Sequence, residues 1–338
     1  MPFCMTRTPL RVSLFGGGTD YPEYFERHDG AVIGMAINRY IYIAQLKLTA
    51  YQAYNYRVAY SKLEFAETID DIQHPVVREV LRHYDIADRL DISVMSDLPS
   101  SGSGLGSSSA FTVGFLNMIK AMQRRHVTKI DLAREAIKVE RELLKENVGV
   151  QDQLHASFGG LNRFDFTTGG ISIRPVQVSA DTLDRLNESM ILVHTGIARR
   201  ATDTVAQQIE RTKSRQIDSP LADLYALVGE CVSLLEAGRP TVLAELGRML
   251  NESWKIKRAL SSRVSNREID ELFDRLNQAG VHGAKLCGAG GGGFFFCLVD
   301  PDRIEAVKKA VAPLAVIPIE MDVHGSTIVH PNVTSWVA

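Results

Sequence analysis

The chain has 338 residues, 45% of them hydrophobic and 23% charged, and its 38 Lys and Arg against 40 Asp and Glu leave a net charge of −2. That balance leaves no global basic excess and speaks against a nucleic-acid binder, and no apolar run approaches the roughly 20 residues of a membrane span. The start Met1-Pro2-Phe3-Cys4-Met5 lacks the apolar centre of a secretion signal, and Cys4, Cys231, Cys287 and Cys297 form no Cys-x-x-Cys pair. A reduced, cytoplasmic protein without a disulfide framework or a structural zinc site is expected.

Short β-branched and aromatic runs predict strands at residues 10–15, 31–37, 40–48 and 90–95. Helical patterns follow at 108–124 and 129–146, then a strand pair at 161–166 and 171–178 turned by Thr168-Gly169-Gly170. A strand at 190–194 leads into helical patterns across 201–279. The chain closes with strand, loop and strand over 284–299, a helix at 302–311 and a strand at 316–321. Strands and helices without regular βαβ alternation predict an α+β protein of two lobes. The polar residues near 178–190 place the border, giving lobes of 1–185 and 186–338.

Three glycine-rich loops stand out. Gly16-Gly17-Gly18-Thr19-Asp20-Tyr21 follows a strand; its glycines allow close backbone approach to a ligand, and Thr19 and Asp20 offer hydrogen bonds to hydroxyls. Pro99-Ser100-Ser101-Gly102-Ser103-Gly104-Leu105-Gly106-Ser107-Ser108 joins a strand to an apolar helix. Its N–H groups and the helix N-terminus converge as they do around a phosphate, although neither the Walker A spacing nor the dinucleotide fingerprint is present. Gly288-Ala289-Gly290-Gly291-Gly292-Gly293 has Gly-x-Gly-x-x-Gly spacing, but Phe294-Phe295-Phe296 after it reads as a strand, which removes a Rossmann assignment. So many ordered glycines imply close approach to a ligand or to another loop.

At 100° per residue, Leu132, Ala133, Ala136, Ile137, Val139, Leu143 and Leu144 fill one arc of the helix at 129–146, and Glu140 falls inside that arc. A carboxylate there needs a cation or several donors, and with phosphate-type loops nearby the sharper reading is a Mg²⁺ ligand. Asp152 lies between Gln151 and Gln153 beside a second apolar helical stretch, which suits either a positioned base or a helix cap. The nine histidines, His155 among them, form no metal-binding constellation.

In this order, the three loops resemble those of the GHMP small-molecule kinases, the superfamily of galactokinase, homoserine kinase and mevalonate kinase. The resemblance covers nearly the whole chain and centres on Gly104-Leu105-Gly106-Ser107-Ser108, with Pro99 ahead of it. It implies a two-lobed fold with a ribosomal-protein-like N-terminal lobe and a ferredoxin-like C-terminal lobe. It implies ATP and Mg²⁺, with Pro99, Ser101, Gly102, Ser103, Gly104, Leu105, Gly106, Ser107 and Ser108 around the nucleotide phosphates and Ser108 and Glu140 on the metal. Asp152 would accept or orient the proton of the attacking hydroxyl, and Arg11 would stabilise charge on the transferring group. Gly290, Gly291 and Gly292 would close over the acceptor with Gly17, Gly18, Thr19, Asp20 and Gln151.

Galactokinases read Gly-Glu-His-Thr-Asp-Tyr where this chain has Gly16-Gly17-Gly18-Thr19-Asp20-Tyr21, which makes galactose an unlikely acceptor. The all-glycine form looks like the kinases of D-glycero-D-manno-heptose 7-phosphate, which phosphorylate the anomeric hydroxyl on the way to nucleotide-activated heptose. A free-sugar kinase of the fucose type, or a sensor that has lost chemistry, are the alternatives. A sugar phosphate needs a cationic pocket, for which Arg199 and Arg200 come first and Lys257 second. Small-molecule partners only, without nucleic acid or membrane, and a monomer or homodimer are expected.

Overall fold

The computed structural model describes residues 3–99, 102–197 and 202–330. Its first part runs β1 (Phe3–Phe15), α1 (Pro22–Phe25), β2 (Gly30–Lys47), β3 (Tyr56–Ala59), β4 (Leu63–Ala66), α2 (Pro75–His83) and β5 (Leu90–Ser96). Then come α3 (Ser107–Met122), α4 (Lys129–Lys138), α5 (Gln151–Phe158), β6 (Leu161–Thr167), β7 (Gly170–Pro175) and α6 (Ala180–Ser189). The last part is β8 (Met190–His194), α7 (Thr202–Lys213), α8 (Asp218–Ala237), α9 (Val242–Leu260), α10 (Arg267–Gln278), β9 (Gly283–Leu286), β10 (Phe294–Leu298), α11 (Ile304–Val311), β11 (Val316–Pro318) and β12 (Thr327–His330).

Where the sequence suggests two strands at 31–37 and 40–48, β2 is continuous. Pro9 pairs with Tyr40 and Leu10 with Ile37, so Asn38 and Arg39 bulge out and the strand carries on. The bulge lets one strand serve two neighbours. Gly30 to Met35 pairs with β6, which carries β7, while Ile41 to Lys47 pairs with β5, and β3 and β4 follow. β1 lies along the other edge of β2, and β12 returns from the far end of the chain to cover β1.

The second sheet has the order β11-β8-β10-β9, antiparallel throughout. Numbered within the lobe this is 4-1-3-2, the ferredoxin-like order, and the two-lobed α+β class expected from the sequence is the class observed. The stretch in which the sequence places the border is occupied by α6, capped by Ser179 Oγ, which accepts from Thr182 N–H. α3 lies against β1 and β2 and is mostly apolar because most of it is covered; Phe115, Leu116 and Ile119 are 0% exposed. Burying each is worth about 2 kcal/mol. One continuous core includes Phe15 of β1, Leu224 of α8 and Phe294 of β10, so apolar packing joins the two sheets. No helix among the described residues is long and apolar enough to cross a membrane.

Candidate active site

The three glycine loops meet at one cavity of about 920 Å³. The second loop has positive φ at Gly102, Gly104 and Gly106, and α3 starts at Ser107 directly after it. It also touches the third loop through backbone alone: a Cβ on Gly104 would lie 2.6 Å from the Cys287 carbonyl oxygen, and one on Gly288 would lie 2.5 Å from Gly104 Cα. The glycines of the third loop therefore answer to another loop. Gly104→Ala, strained at φ +73° as well, is expected to cost about 1–3 kcal/mol and raise KM for ATP; unchanged melting and KM would show that the two loops do not need this contact.

Pro99, Gly102, Ser103, Gly104, Gly106, Ser107 and Ser108 line the cavity, whereas Leu105 is buried behind it and anchors the loop by accepting from Arg11 N–H at 3.0 Å. Ser101 lies outside the described residues. In the third loop Gly288 and Ala289 line the cavity. Gly290 packs on Val264, Gly291 N–H donates to the Val264 carbonyl, and Gly292 packs on Ile197, so these three stand behind the wall where the sequence reading had them at the substrate.

Arg11 and Asp152 form the polar centre. β1 delivers Arg11 and the first turn of α5 delivers Asp152; Nε and Nη2 of Arg11 donate to Oδ1 and Oδ2 of Asp152, each at 2.8 Å. Nη1 donates to the Gly104 carbonyl at 2.7 Å, which ties the pair to the second loop. A two-pronged charged pair of this kind fixes both planes, so Asp152 is oriented as well as charged.

Glu140 is 0% exposed, as its place in the apolar arc requires. The helix differs from the expectation there. α4 stops at Lys138 and Val139 to Leu143 form a π turn, a wider turn that recurs at functional sites and redirects the side chains it carries. Glu140 Oε2 accepts from Ser109 Oγ at 2.8 Å and from Gln153 Nε2, while Oε1 makes no hydrogen bond and the Thr112 hydroxyl, bonded to the Ser108 carbonyl, stands near the carboxylate. Burial pushes its carboxyl up to about 7. A buried oxygen left over beside the start of α3 fits a cation, and with no cluster of three His, Cys, Asp or Glu among the described residues, the remaining ligands would be hydroxyl, phosphate or water oxygens. That donor set suits Mg²⁺. The hydroxyl bonded to Glu140 is that of Ser109; Ser108, the expected metal serine, is exposed at the cavity.

In the first loop, Gly17 and Gly18 line the cavity with Gln151, whereas Thr19 and Asp20 do not. The Thr19 hydroxyl is spent inside the turn on the carbonyls of Gly16 and Ala31. Asp20, 1% exposed, accepts from the N–H groups of Gly18 at 2.9 Å and Gln151 at 3.4 Å. A Cβ on Gly149 would lie 2.0 Å from Asp20 Oδ2, so glycine is required for Asp20 to reach the start of α5. Thr19 and Asp20, expected on the sugar, both shape the loop instead. His155 is fully buried with its ring edge-on to Phe164, and burial holds it neutral by pushing it down to about 3.

Lys285 is a site residue not expected from the sequence. It sits on β9, 6% exposed, lines the cavity, and donates to the carbonyls of Ser13 and Leu14. The available signal was a lysine within the apolar strand Gly283–Leu286. Lys257 of α9 also lines the cavity and donates to the carbonyls of Leu286 and Gly288. Burial pushes Lys257 down to about 8 and, with Lys257 beside it, Lys285 down to about 7. An unfolded lysine stays protonated to about 10.4, so between these values the unfolded chain binds more protons and stability rises with pH. From pH 7 to 8.5 the wild type is expected to gain on the order of 1 kcal/mol relative to Lys285→Met in urea unfolding. A pH-independent difference would place Lys285 in a wetter setting.

Tyr60, His74, Val76, Met95, Leu98 and Phe111 line a more apolar part of the same cavity, where His74 faces Phe111 at 4.7 Å. Tyr60, His74 and Val76 come from β3, α2 and their flanks, elements not expected from the sequence. Arg199 and Arg200, the first-choice phosphate clamp, lie outside the described residues.

Nothing in this arrangement calls for covalent chemistry by the protein. It positions and neutralises, which is what phosphoryl transfer to a small-molecule hydroxyl asks of an enzyme. Two family models match the chain, GHMP kinases N terminal domain over residues 71–160 and GHMP kinases C terminal over residues 233–314. The chain belongs to the GHMP kinase family, with the small-molecule phosphotransferase activity and the use of ATP and Mg²⁺ typical of it. It is 29% identical to a D-glycero-alpha-D-manno-heptose 7-phosphate kinase of Campylobacter jejuni, over 90% of this chain and 93% of that protein. It is 25% identical to a galactokinase of Pyrococcus furiosus, over 90% and 91%. Among solved structures, a D-glycero-D-manno-heptose 1-phosphate kinase from Bacteriodes thetaiotaomicron matches with a TM-score of 0.70 and 25% identity, over 95% of this chain and 97% of that one.

Proposed function

We propose that the chain transfers the γ-phosphoryl group of ATP to the anomeric hydroxyl of D-glycero-D-manno-heptose 7-phosphate, giving the 1,7-bisphosphate. The observation that carries this reading is the acceptor end of the cavity. Glycines 17 and 18 stand where galactokinases present Glu and His, and the cationic Lys257, Lys285 and Arg11 line the same space. The similarity to the Campylobacter jejuni kinase supports the same acceptor.

In this mechanism the second loop and the start of α3 receive the nucleotide phosphates. Glu140, with the serine hydroxyls that open α3, would hold Mg²⁺, which when bound neutralises phosphate charge. Asp152 draws the acceptor hydroxyl into line through the lone pairs that Arg11 leaves open. The hydroxyl oxygen bonds to the γ-phosphorus as the bond to the β,γ-bridging oxygen breaks, the proton passes to Asp152, and ADP leaves. Arg11, held by Asp152 and Gly104, offsets charge on the transferring oxygens. The ³¹P spectrum of the product tests the position: coupling of the new phosphorus to the anomeric proton supports the reading, and coupling to any other carbon's proton refutes it.

A further inference from the structure

Lys257 and Lys285 line the acceptor end of the cavity, but the transfer steps above give neither a role. Among the described residues, both ammonium groups donate to backbone carbonyls alone: Lys257 to Leu286 and Gly288, Lys285 to Ser13 and Leu14. Both side chains line the cavity and lie close enough for the charge of Lys257 to act on Lys285. With no carboxylate among the described residues bonded to either, holding the charge on both is costly, and an anion that joined them would keep both protonated. Two hydroxyls in the same place also lack partners. Ser253, one helical turn before Lys257 on α9, is 0% exposed, and its Oγ, like that of Ser13, makes no hydrogen bond; both residues line the cavity. Buried donors without acceptors beside unpaired ammonium groups are what a phosphate oxygen satisfies.

We propose that Lys257, Lys285, Ser253 and Ser13 form the subsite for the phosphate monoester carried by the acceptor, separate from the loop that takes the nucleotide phosphates. The inference rests on the sugar-phosphate reading above. Its placement follows from the elements involved. Lys285 binds the end of β1, the strand that runs into the cavity-lining Gly17 and Gly18, and Leu260, one turn beyond Lys257, faces Gly18. Gly106 of the nucleotide loop approaches Arg11 and Asp152, while Lys257 reaches the Gly288 carbonyl, whose residue packs on Gly104, so the subsite adjoins that loop but is built from different residues.

The test compares wild type, K257Q, K285Q, S253A and K257R, using heptose 7-phosphate and unphosphorylated heptose as acceptors. Folding is checked by thermal melting and by the dissociation constant for ATP. Losing one charged hydrogen bond to phosphate predicts a fall in kcat/KM for the 7-phosphate of roughly 10- to 100-fold in K257Q and K285Q. A smaller fall is expected in S253A, substantial recovery in K257R, and little change in KM for ATP. Glutamine variants that keep the wild-type preference for the 7-phosphate, or that lose ATP affinity instead, overturn the subsite and leave the sugar-phosphate reading intact. A wild type that uses free heptose as well as the 7-phosphate overturns both. Should the glutamine variants not fold, inorganic phosphate with the wild type decides: inhibition competitive with the sugar phosphate supports the subsite, and inhibition competitive with ATP alone refutes it.

Discussion

Replacing Asp152 by Asn is expected to lower kcat by about 1,000-fold or more while the dissociation constant for ATP changes little. The residue sits in the first turn of α5 with both oxygens accepting from Arg11 at 2.8 Å, so the amide keeps the shape of the side chain but faces one Arg11 N–H with a donor. It loses the charge that pairs with Arg11 and one of the two acceptors. A protein that served only to sense nucleotide or sugar would tolerate the change. Single-turnover phosphoryl transfer with saturating ATP is the measurement, and near-normal transfer in the variant would remove Asp152 from the chemistry.

Glu140→Gln is expected to move activity and stability in opposite directions. Gln keeps an oxygen for Ser109 and Gln153 but carries no charge in a fully buried position. In the native protein burial pushes Glu140 up to about 7, so above that pH the metal-free wild type holds an ionised carboxylate that the unfolded chain solvates better. Sign and window follow from this: metal-free stability falls as pH rises from about 4.5 towards 7, and the variant escapes the fall. At pH 8 the metal-free variant should be more stable by about 1 kcal/mol or more. Its kcat should nonetheless fall by about 100-fold or more, and the rise in melting temperature on adding MgADP should shrink. Full activity together with an undiminished MgADP shift would contradict the assignment of Glu140 to the metal.

These two carboxylates differ in how far the sequence could reveal them. Glu140 was legible because a charge in an apolar arc violates periodicity, and burial follows from the arc. The π turn that aims it was not, since a single wide turn changes the hydrogen-bond pattern without changing residue types. Its neighbour shows the same limit: three adjacent serines look alike in sequence, and only the fold selects Ser109 as the one that meets Glu140. The third loop's need for close approach was legible from its glycines. Its target, the second loop, lies nearly 200 residues away in sequence and appears only when the lobes come together. Lys285 was overlooked although it breaks an apolar strand just as Glu140 breaks an apolar arc. The bulge at Asn38 and Arg39 hid the continuity of β2, because extended polar residues between two strands read as a turn.

The most direct measurement is ADP release with ATP and Mg²⁺ across four acceptors: D-glycero-D-manno-heptose 7-phosphate, mannose 6-phosphate, L-fucose and galactose. The account predicts turnover on the phosphorylated sugars, fastest on the heptose, with little on the free ones. Preference for fucose or galactose over the heptose phosphate would contradict it.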